Sequence, residues 1–278
     1  MGMKDLNPEI HYDRVTPAWV LLMGENLHYG YFERGDEDLA TATEALTRLM
    51  ARHAQIEPGM AVLDVGCGTG RPACFLAEAH DCHVTGISTG EVGLETARER
   101  AEEKHLTDRL EFRYGDGTDN GLPDQSFDRV WVMQSSHFMR QKDRLISECA
   151  RVLRPGGRLV LCDIVLRSIM PMAEVVKYRR ELLLLQQVYG QAKMEPLEVY
   201  ERLSRDNHLD VEITQDISRQ TFPTFEHWRK NAAHHRDRLF ELISREHVQQ
   251  FVESCDVLEM FWNEQKLGYG LISAVKSD

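Results

Sequence analysis

The junction at residues 62–72 constrains the fold of this 278-residue chain more than any other segment. An apolar run, Val-Leu-Asp-Val, leads into Gly66, Gly68 and Gly70, and Pro72 follows shortly after. Glycine has no Cβ, so the backbone can pass close to a ligand, and proline suits the first turn of a helix. The pattern therefore predicts a buried strand, a tight loop, and a helix whose first N–H groups face a bound molecule.

Two features indicate which ligand this loop favours. The spacing Gly-x-Gly-x-x-Ala at 68–73 formally satisfies the dinucleotide fingerprint, which keeps a nicotinamide or flavin oxidoreductase as an alternative. However, the acidic residue expected about 20 residues later is missing, since the next strand ends in Ser88 and Thr89. Asp64, just before the loop, would sit badly beside a pyrophosphate and well beside an ammonium group. The loop thus favours a zwitterionic amino-acid ligand.

Strand and helix patterns alternate through residue 165, which indicates parallel βαβ units in a sheet covered on both faces. A helix with apolar residues on one face is predicted at 39–53, before the first strand. The predicted strands are 60–65, 83–87, 109–114, 127–133 and 158–165, and the helices between them are 72–80, 91–105 and 143–153. We expect Pro-Gly-Gly at 155–157 to form the turn from the last helix into the last strand.

The pattern changes beyond residue 167. Residues 168–206 are predicted to be helical, and their short run of four leucines at 182–185 is typical of a core or subunit contact. A strand is predicted at 210–217, one or two helices at 225–265, and a final strand at 268–275. The apolar helices of this part are compatible with a homodimer.

Composition excludes several classes of function. The formal net charge of −12 argues against sequence-independent binding to nucleic acid and disfavours anionic membrane surfaces. No apolar run approaches the about 18 residues of a membrane span, and the N-terminus lacks a signal-peptide core. The six cysteines form no Cys-x-x-Cys pair, so we expect buried free thiols, no metal site and a cytoplasmic location.

Several motifs together resemble one protein family. The loop motif Asp-x-Gly-x-Gly-x-Gly at 64–70 is followed by Gly-Asp at 115–116, Ser-Phe-Asp at 126–128 and Arg-Val-Leu-Arg-Pro-Gly-Gly at 151–157. This series is similar to class I S-adenosylmethionine-dependent methyltransferases. Upstream, Gly-Glu-Asn-Leu-His-Tyr-Gly-Tyr at 24–31 resembles the natural-product branch that includes the rebeccamycin sugar O-methyltransferase and erythromycin-type O-methyltransferases.

The resemblance implies an α/β fold, a doubly wound, mostly parallel, seven-stranded Rossmann-like sheet with an antiparallel last strand, an N-terminal helical segment and a helical lid. It divides the chain into an N-terminal segment and lid at 1–56, a cofactor-binding core at 57–167, and a helical cover with the last two strands at 168–278. The implied cofactor is S-adenosylmethionine, which leaves as S-adenosylhomocysteine.

The expected cofactor-binding residues follow the strands of the core, because ligands of such sheets bind beyond the carboxyl ends of parallel strands. They are Asp64, Gly66, Gly68, Gly70, Ser88, Thr89, Asp116, Gly117, Thr118 and Gln134. Asp64 would face the methionine ammonium. Ser88 and Thr89 stand where the family usually has an acid for the ribose hydroxyls. Asp116 would accept from the adenine amino group, with loop capping as its alternative role.

Methylation of an alcohol at neutral pH needs a base, and histidine is the usual one. Among the twelve histidines, His137 lies just beyond the fourth strand, and Asp163 is an acid within an apolar strand that needs a partner when buried. The pair would hold the imidazole tautomer. The two positions match the catalytic His and Asp of rebeccamycin-type enzymes, whose second adjacent His is here Phe138. An ordinary core histidine is the alternative for His137.

His28 and Tyr12 are candidate substrate contacts, within an aromatic N-terminal segment that serves either as a lid or as packing. The function that these residues favour is O-methylation of a sugar or polyketide hydroxyl on a small secondary metabolite. The alternatives are C- or N-methylation of another small molecule, such as an isoprenoid-bearing one, and a non-catalytic cofactor-binding regulator. A nicotinamide oxidoreductase ranks behind them.

Overall fold

The seven strands of the described residues form a single sheet. The computed structural model describes the backbone of residues 8–277 and the side chains of residues 16–277. The strands are β1 (Ala61–Val65), β2 (His83–Ser88), β3 (Leu110–Tyr114), β4 (Phe127–Met133), β5 (Leu153–Leu166), β6 (Leu209–Asp216) and β7 (Leu267–Lys276). Their order across the sheet is β3-β2-β1-β4-β5-β7-β6.

Strands β1 to β5 pair in parallel, and β6 pairs with β7 antiparallel. The chain first moves outward from β1 to β3 and then returns to β4 on the other side of β1. This reversal of strand order makes a topological switch point, the usual place for a ligand in such sheets. The doubly wound, mostly parallel α/β architecture expected from the sequence is confirmed.

The helices follow the predicted alternation. They are α1 (Pro8–Met23), α2 (Leu39–Ala54), α3 (Arg71–His80), α4 (Glu91–Glu103), α5 (Lys142–Val152), α6 (Met172–Lys177), α7 (Arg179–Tyr189), α8 (Leu197–Asp206), α9 (Ser218–Thr221), α10 (Thr224–His234), α11 (Arg236–Leu242) and α12 (Arg245–Asn263). Segment 225–265 forms three helices rather than one or two, because the chain breaks near His235 and again before Ser244. The Ser244 hydroxyl accepts the N–H of His247 and caps α12. None of the described helices is long and apolar enough to cross a membrane.

The Pro-Gly-Gly segment is placed differently from the prediction. Strand β5 begins at Leu153, directly after α5, and Leu153 pairs with Phe127 of β4. Residues 154–157 then form an irregularity inside the strand, with Gly156 at φ 70°, before regular pairing resumes at Arg158. The predicted helix-to-strand turn is therefore wrong. Leu153 is buried and apolar, so its burial drives pairing ahead of the glycines, which a reading of turn residues alone misses.

The chain divides into two units. The helical unit comprises the described residues up to Leu46, together with Val165–Ala192 and Ile217–Tyr269. The sheet unit comprises Thr47–Ile164, Lys193–Asp216 and the described residues from Gly270 onward. Strand β1 is buried along nearly its whole length, as expected for a parallel strand covered on both faces. All six cysteines are buried and free, which confirms that prediction.

Aromatic side chains fill the helical unit. The Tyr29 ring stacks on Trp262, with centroids 5.6 Å apart and an interplanar angle of 8°, and meets Trp228 at 4.9 Å. Trp19 and Phe32 are buried as well. Aromatic residues bring large apolar areas into a core, so the aromatic density noted before the first strand of the sequence has a packing role within this unit.

Candidate active site

The loop after β1 is shaped by glycine. Gly66, Gly68 and Gly70 have φ values of 80°, 52° and 70°, in the region where other residues are strained. The N–H groups of Gly66 and Cys67 both donate to the carbonyl of Ile87, over 2.8 and 3.1 Å. These bonds tie the loop to β2, and Gly70 then precedes the first residue of α3.

Three loops of the sheet unit converge beside this turn. The Ser135 hydroxyl, just after β4, donates to the carbonyl of Val65 over 2.6 Å. A Cβ on Gly66 would lie 2.6 Å from that hydroxyl oxygen, and a Cβ on Gly117, after β3, would lie 2.6 Å from Val65. A Cβ on Gly68 would meet nothing within 4 Å. Hence Gly66 and Gly117 permit close packing of the loops, whereas Gly68 lies at an open point of the loop.

Asp64 is a buried carboxylate at the end of β1. It is about 2% exposed, and its Oδ2 atom makes no hydrogen bond with the described residues. Burial raises the pKa of Asp64 to about 7. A buried carboxylate without a partner is costly unless a cation or donor meets it. The carboxyl therefore fits a ligand that brings a positively charged donor, as an amino-acid ammonium does.

The loops after β2 and β4 carry other predicted cofactor residues. Ser88 accepts the N–H of Gly90 over 3.2 Å, close to the start of α4, and both Ser88 and Thr89 are half-buried. Gln134 follows β4 with a positive φ of 48°, and its N–H donates to the carbonyl of Cys162 over 2.8 Å. Both loops lie at the carboxyl ends of parallel strands that flank β1 on either side.

Asp116 performs the capping role that the sequence offered as its alternative. Its Oδ1 atom accepts both the N–H and the hydroxyl of Thr118, each over 2.8 Å. The Asp116 side chain is exposed, and its Oδ2 atom is not used by either bond. Capping and ligand binding are therefore compatible, because the bonds to Thr118 occupy one carboxylate oxygen.

His137 and Asp163 are in direct contact. His137 lies in a 3-10 turn, Ser136–Phe138, beyond β4, and Asp163 lies in the neighbouring strand β5. The Nδ1 atom of His137 is 2.7 Å from Oδ1 of Asp163, and the His137 N–H donates to Oδ2 over 3.0 Å. A carboxylate only accepts, so Nδ1 carries a hydrogen, and in the neutral imidazole the lone pair is on Nε2.

Asp163 remains ionised although it is fully buried. Burial alone would raise the pKa of this carboxyl, but the adjacent His137, the Ser136 hydroxyl and the N–H of Ile164 together hold its pKa below the usual value. Each carboxylate oxygen accepts two hydrogen bonds, with Ile164 at 2.7 Å completing the pair on Oδ1. The arrangement can hold an imidazole in one tautomer and stabilise its cation.

Comparison with known proteins decides the family. A family model described as "Methyltransferase domain" matches residues 63–161. The chain is 37% identical over 271 residues, 96% of both chains, to the 27-O-demethylrifamycin SV methyltransferase of Amycolatopsis mediterranei (strain S699). It is 34% identical over 216 residues to methyltransferase GfsG of Streptomyces halstedii, which covers 77% of this chain and 76% of that protein.

The chain belongs to the class I S-adenosylmethionine-dependent methyltransferases. Its place is among the O-methyltransferases of natural-product pathways, and its cofactor is S-adenosylmethionine. A solved structure titled as the [4+2]-cyclase SpnF is also similar, with a TM-score of 0.82 and 28% identity over 97% of this chain and 95% of that one.

The methyltransferase has further polar residues at the His–Asp pair that the sequence did not single out. Ser136 donates to Asp163 over 2.5 Å, and the Tyr200 hydroxyl of α8 lies 2.9 Å from the Ser136 hydroxyl. The buried Lys142 ammonium donates to the carbonyls of Ser136 and Met139 over 2.7 and 2.6 Å. Burial lowers the pKa of Lys142 to about 8. An acid in an apolar strand pointed to a partner, but nothing in the sequence pointed to residue 200.

The two predicted substrate contacts of the methyltransferase lie in the helical unit. His28 is buried, and its Nδ1 lies 2.9 Å from the carbonyl oxygen of Tyr29. Residue 12 lies within α1, but the Tyr12 side chain is outside the described residues. The cofactor and catalytic candidates belong to the sheet unit, and His28 belongs to the helical unit.

The residues of the sheet unit fit the cofactor of this family. The unpartnered Asp64 oxygen suits its ammonium group, and the protein leaves open the space beside Gly68, where a Cβ would meet nothing within 4 Å. Among the described residues, no cluster of three or more His, Cys, Asp and Glu side chains could hold a metal ion.

Proposed function

We propose that this methyltransferase methylates a hydroxyl group of a polyketide-type small molecule, with His137 as the general base and Asp163 as its orienting partner. The contact between Nδ1 of His137 and the buried carboxylate of Asp163 carries the proposal. It leaves Nε2 with a lone pair, which is what the deprotonation of an alcohol requires. C- or N-methylation and a regulatory role have no such requirement.

The cofactor supplies an electrophilic methyl group on a sulfonium. Asp64 would bind its ammonium group, and the loop of Gly66, Gly68 and Gly70 would bind its carboxylate. Gln134 would contact the methionine portion, and Ser88 and Thr89 would contact the ribose. The adenine would lie against Asp116, Gly117 and Thr118. The buried position of the Asp64 carboxyl supports this assignment, because a charge-assisted bond is strong where water is excluded.

The proton is handled by the chain's own residues. His137 Nε2 takes the proton of the substrate hydroxyl, and the Asp163 carboxylate stabilises the imidazolium that results. Asp163 accepts four hydrogen bonds, and these stabilise its negative charge in place of water. The His137 side chain is only about 6% exposed, so bulk water competes little for it.

The substrate class is supported by the relatives. The relative that matches along 96% of both chains carries a name describing O-methylation of a rifamycin, and we infer a hydroxyl on a similar polyketide scaffold, with a sugar hydroxyl as the second candidate. His28 and Tyr12 are proposed to contact this substrate. The net charge of −12 supports a small-molecule partner over nucleic acid or an anionic membrane. A cytoplasmic location and a homodimer complete the proposal.

The test is a methyl-transfer assay with purified protein, labelled S-adenosylmethionine and a panel of hydroxylated and glycosylated polyketides. The wild type should form methyl ethers, and His137→Ala should lose about 10²–10⁴-fold in kcat while binding the cofactor normally. Higher pH should partly restore its turnover, since the alcohol then ionises more readily. Wild-type turnover by His137→Ala at neutral pH would refute the assignment of the base and favour transfer to carbon or nitrogen.

A further inference from the structure

A chain of hydroxyl groups extends the His137–Asp163 pair into helix α8. The Ser136 hydroxyl lies 2.5 Å from Oδ2 of Asp163, and the Tyr200 hydroxyl lies 2.9 Å from the Ser136 oxygen. Ser136 and Asp163 are both fully buried, and Tyr200 is about 1% exposed. All four residues belong to the sheet unit, so the chain runs within one compact body.

The chemistry of the groups determines the direction of each bond. A carboxylate only accepts, so Ser136 must spend its single hydroxyl hydrogen on Asp163. The bond between the two hydroxyls can then have only one donor, which is Tyr200. Burial raises the pKa of Tyr200, with the nearby Asp163 charge acting in the same sense, so the phenol keeps its hydrogen. The order is Tyr200 to Ser136 to Asp163, with His137 Nδ1 donating from the other side.

We infer that Tyr200 is a positioning residue for the catalytic base, acting through Ser136 on the Asp163 carboxylate and thereby on the orientation of the His137 imidazole. The inference rests on the proposed role of His137. Donation from Tyr200 polarises the Ser136 hydroxyl and strengthens its bond to Asp163, since hydrogen bonds in series reinforce one another. A carboxylate held on both oxygens has one rotamer, and the imidazole bonded to it has one orientation.

The 3-10 turn that carries His137 also accepts hydrogen bonds at its backbone carbonyls. The N–H of Lys193 donates to the carbonyl of His137 over 2.7 Å, and the Lys142 ammonium holds the carbonyl of Ser136. The titratable and charged groups that bear on Tyr200 and Lys142 are Asp163, Glu195 and Lys193. Lys193 and Tyr200 come from one segment, 193–216, that joins the sheet unit far along the sequence. This segment thus supports the catalytic turn through its backbone and through one phenol.

Helix α8 supplies a matched control. Ser204, one turn beyond Tyr200, is also about 1% exposed, and its hydroxyl makes no hydrogen bond with the described residues. Tyr200→Phe and Ser204→Ala each remove one buried oxygen from the same helix. Only the first removes a donor to the Ser136 hydroxyl, so a general effect of disturbing α8 should be common to both variants.

The experiment measures kcat, KM and the pH profile of kcat for Tyr200→Phe, Ser136→Ala, the double variant and Ser204→Ala, with thermal unfolding as a check of the fold. Tyr200→Phe should lower kcat by about 3- to 10-fold, the range expected for one buried hydrogen bond, with KM for the cofactor unchanged. The acid limb of its profile should move to higher pH, because the less neutralised carboxylate attracts the imidazolium proton more strongly. Ser204→Ala should match the wild type.

The double variant tests whether the two residues act in series. If Tyr200 acts through Ser136, its substitution should have no further effect in the Ser136→Ala background. Additive losses, or a Tyr200→Phe variant with the kcat and pH profile of Ser204→Ala, would overturn the inference. A failure of the base assignment is distinguishable, because His137→Ala would then keep wild-type turnover. If this inference alone fails, His137→Ala still loses about 10²–10⁴-fold in kcat, and Tyr200→Phe either matches Ser204→Ala or adds its loss to that of Ser136→Ala.

Discussion

The imidazole of His137 bonds Oδ1 of Asp163 through Nδ1, while its backbone N–H bonds Oδ2 of the same carboxylate. One aspartate therefore fixes both the side chain and the main chain of one histidine. A rotation of the ring would break the first bond, and a shift of the turn would break the second. This double attachment explains how a short 3-10 turn of three residues can present a base in a defined direction.

Replacing Asp163 should cost activity without removing the base. Asp163→Asn keeps the size of the side chain but removes its charge, so the imidazolium is no longer stabilised and the tautomer is no longer determined. We expect kcat to fall, by less than the about 10²–10⁴-fold expected for His137→Ala. Steady-state kinetics of both variants, with the cofactor Kd from calorimetry as a control, measures the difference. A larger loss for Asp163→Asn would contradict the proposed division of roles.

Cofactor affinity should depend on pH through Asp64. The raised pKa of about 7 means that the free protein carries a partly protonated carboxyl at neutral pH. An ammonium pairs with the ionised form, so binding of S-adenosylhomocysteine should release a proton below pH 7. The Kd should rise as the pH falls, by up to about tenfold per pH unit. Calorimetry from pH 5.5 to 7 in two buffers of different ionisation enthalpy measures both quantities.

The control for this linkage is Asp64→Asn. It should bind the cofactor more weakly and with a Kd that is independent of pH in the same range. In the free protein, the folded pKa of Asp64 lies above its ordinary value of 3.8. The contribution of this group to the free energy of unfolding is therefore fully present below pH 3.8 and is lost as the pH rises through 7. Asp64→Asn should therefore flatten this fall in stability. A wild-type Kd that does not vary between pH 5.5 and 7 would rule out the linkage.

Much of the fold could be predicted because local signals agree with tertiary structure. Strand and helix periods, separated by glycine and proline, predicted β1 to β4 to within one residue at each end. The Pro-Gly-Gly segment was the exception, since the burial of Leu153 extends β5 across it. At the site, an acid in an apolar strand pointed to a partner, and the structure brings Asp163 into contact with His137.

The rest of the site could not be predicted, because its residues resemble ordinary structural ones. Tyr200 is an aromatic residue on an amphipathic helix, which most often means core packing, and its distance in sequence from Ser136 gives no hint of contact. Lys142 is a residue type usually exposed to solvent, yet it is about 3% exposed here. Only the fold shows that its ammonium meets the carbonyls of the 3-10 turn.

The ribose of the cofactor should be bound by hydroxyl groups. The end of β2 carries Ser88 and Thr89 in place of an acid. Thr89→Val keeps the shape of the side chain and removes its hydroxyl, so it should weaken S-adenosylhomocysteine binding by about 0.5–1.5 kcal/mol. Ser88→Ala should also destabilise the start of α4, because Ser88 accepts the N–H of Gly90. Calorimetry on both variants gives the comparison. Unchanged affinity in both would show that other residues take the ribose.

The glycines at 66 and 68 should respond differently to alanine. Both have positive φ, so each substitution carries backbone strain of roughly 1–2 kcal/mol. At Gly66, the new Cβ would also press against Ser135, whereas at Gly68 it would meet nothing within 4 Å of the protein. Gly66→Ala should therefore lower the free energy of unfolding by about 1–3 kcal/mol more than Gly68→Ala.

Gly68→Ala should instead weaken cofactor binding while the protein stays folded, since its methyl group occupies space that the loop leaves to the ligand. Urea unfolding and calorimetry on the two variants separate these effects. Equal losses of stability, or normal cofactor affinity in Gly68→Ala, would contradict the roles assigned to the two glycines.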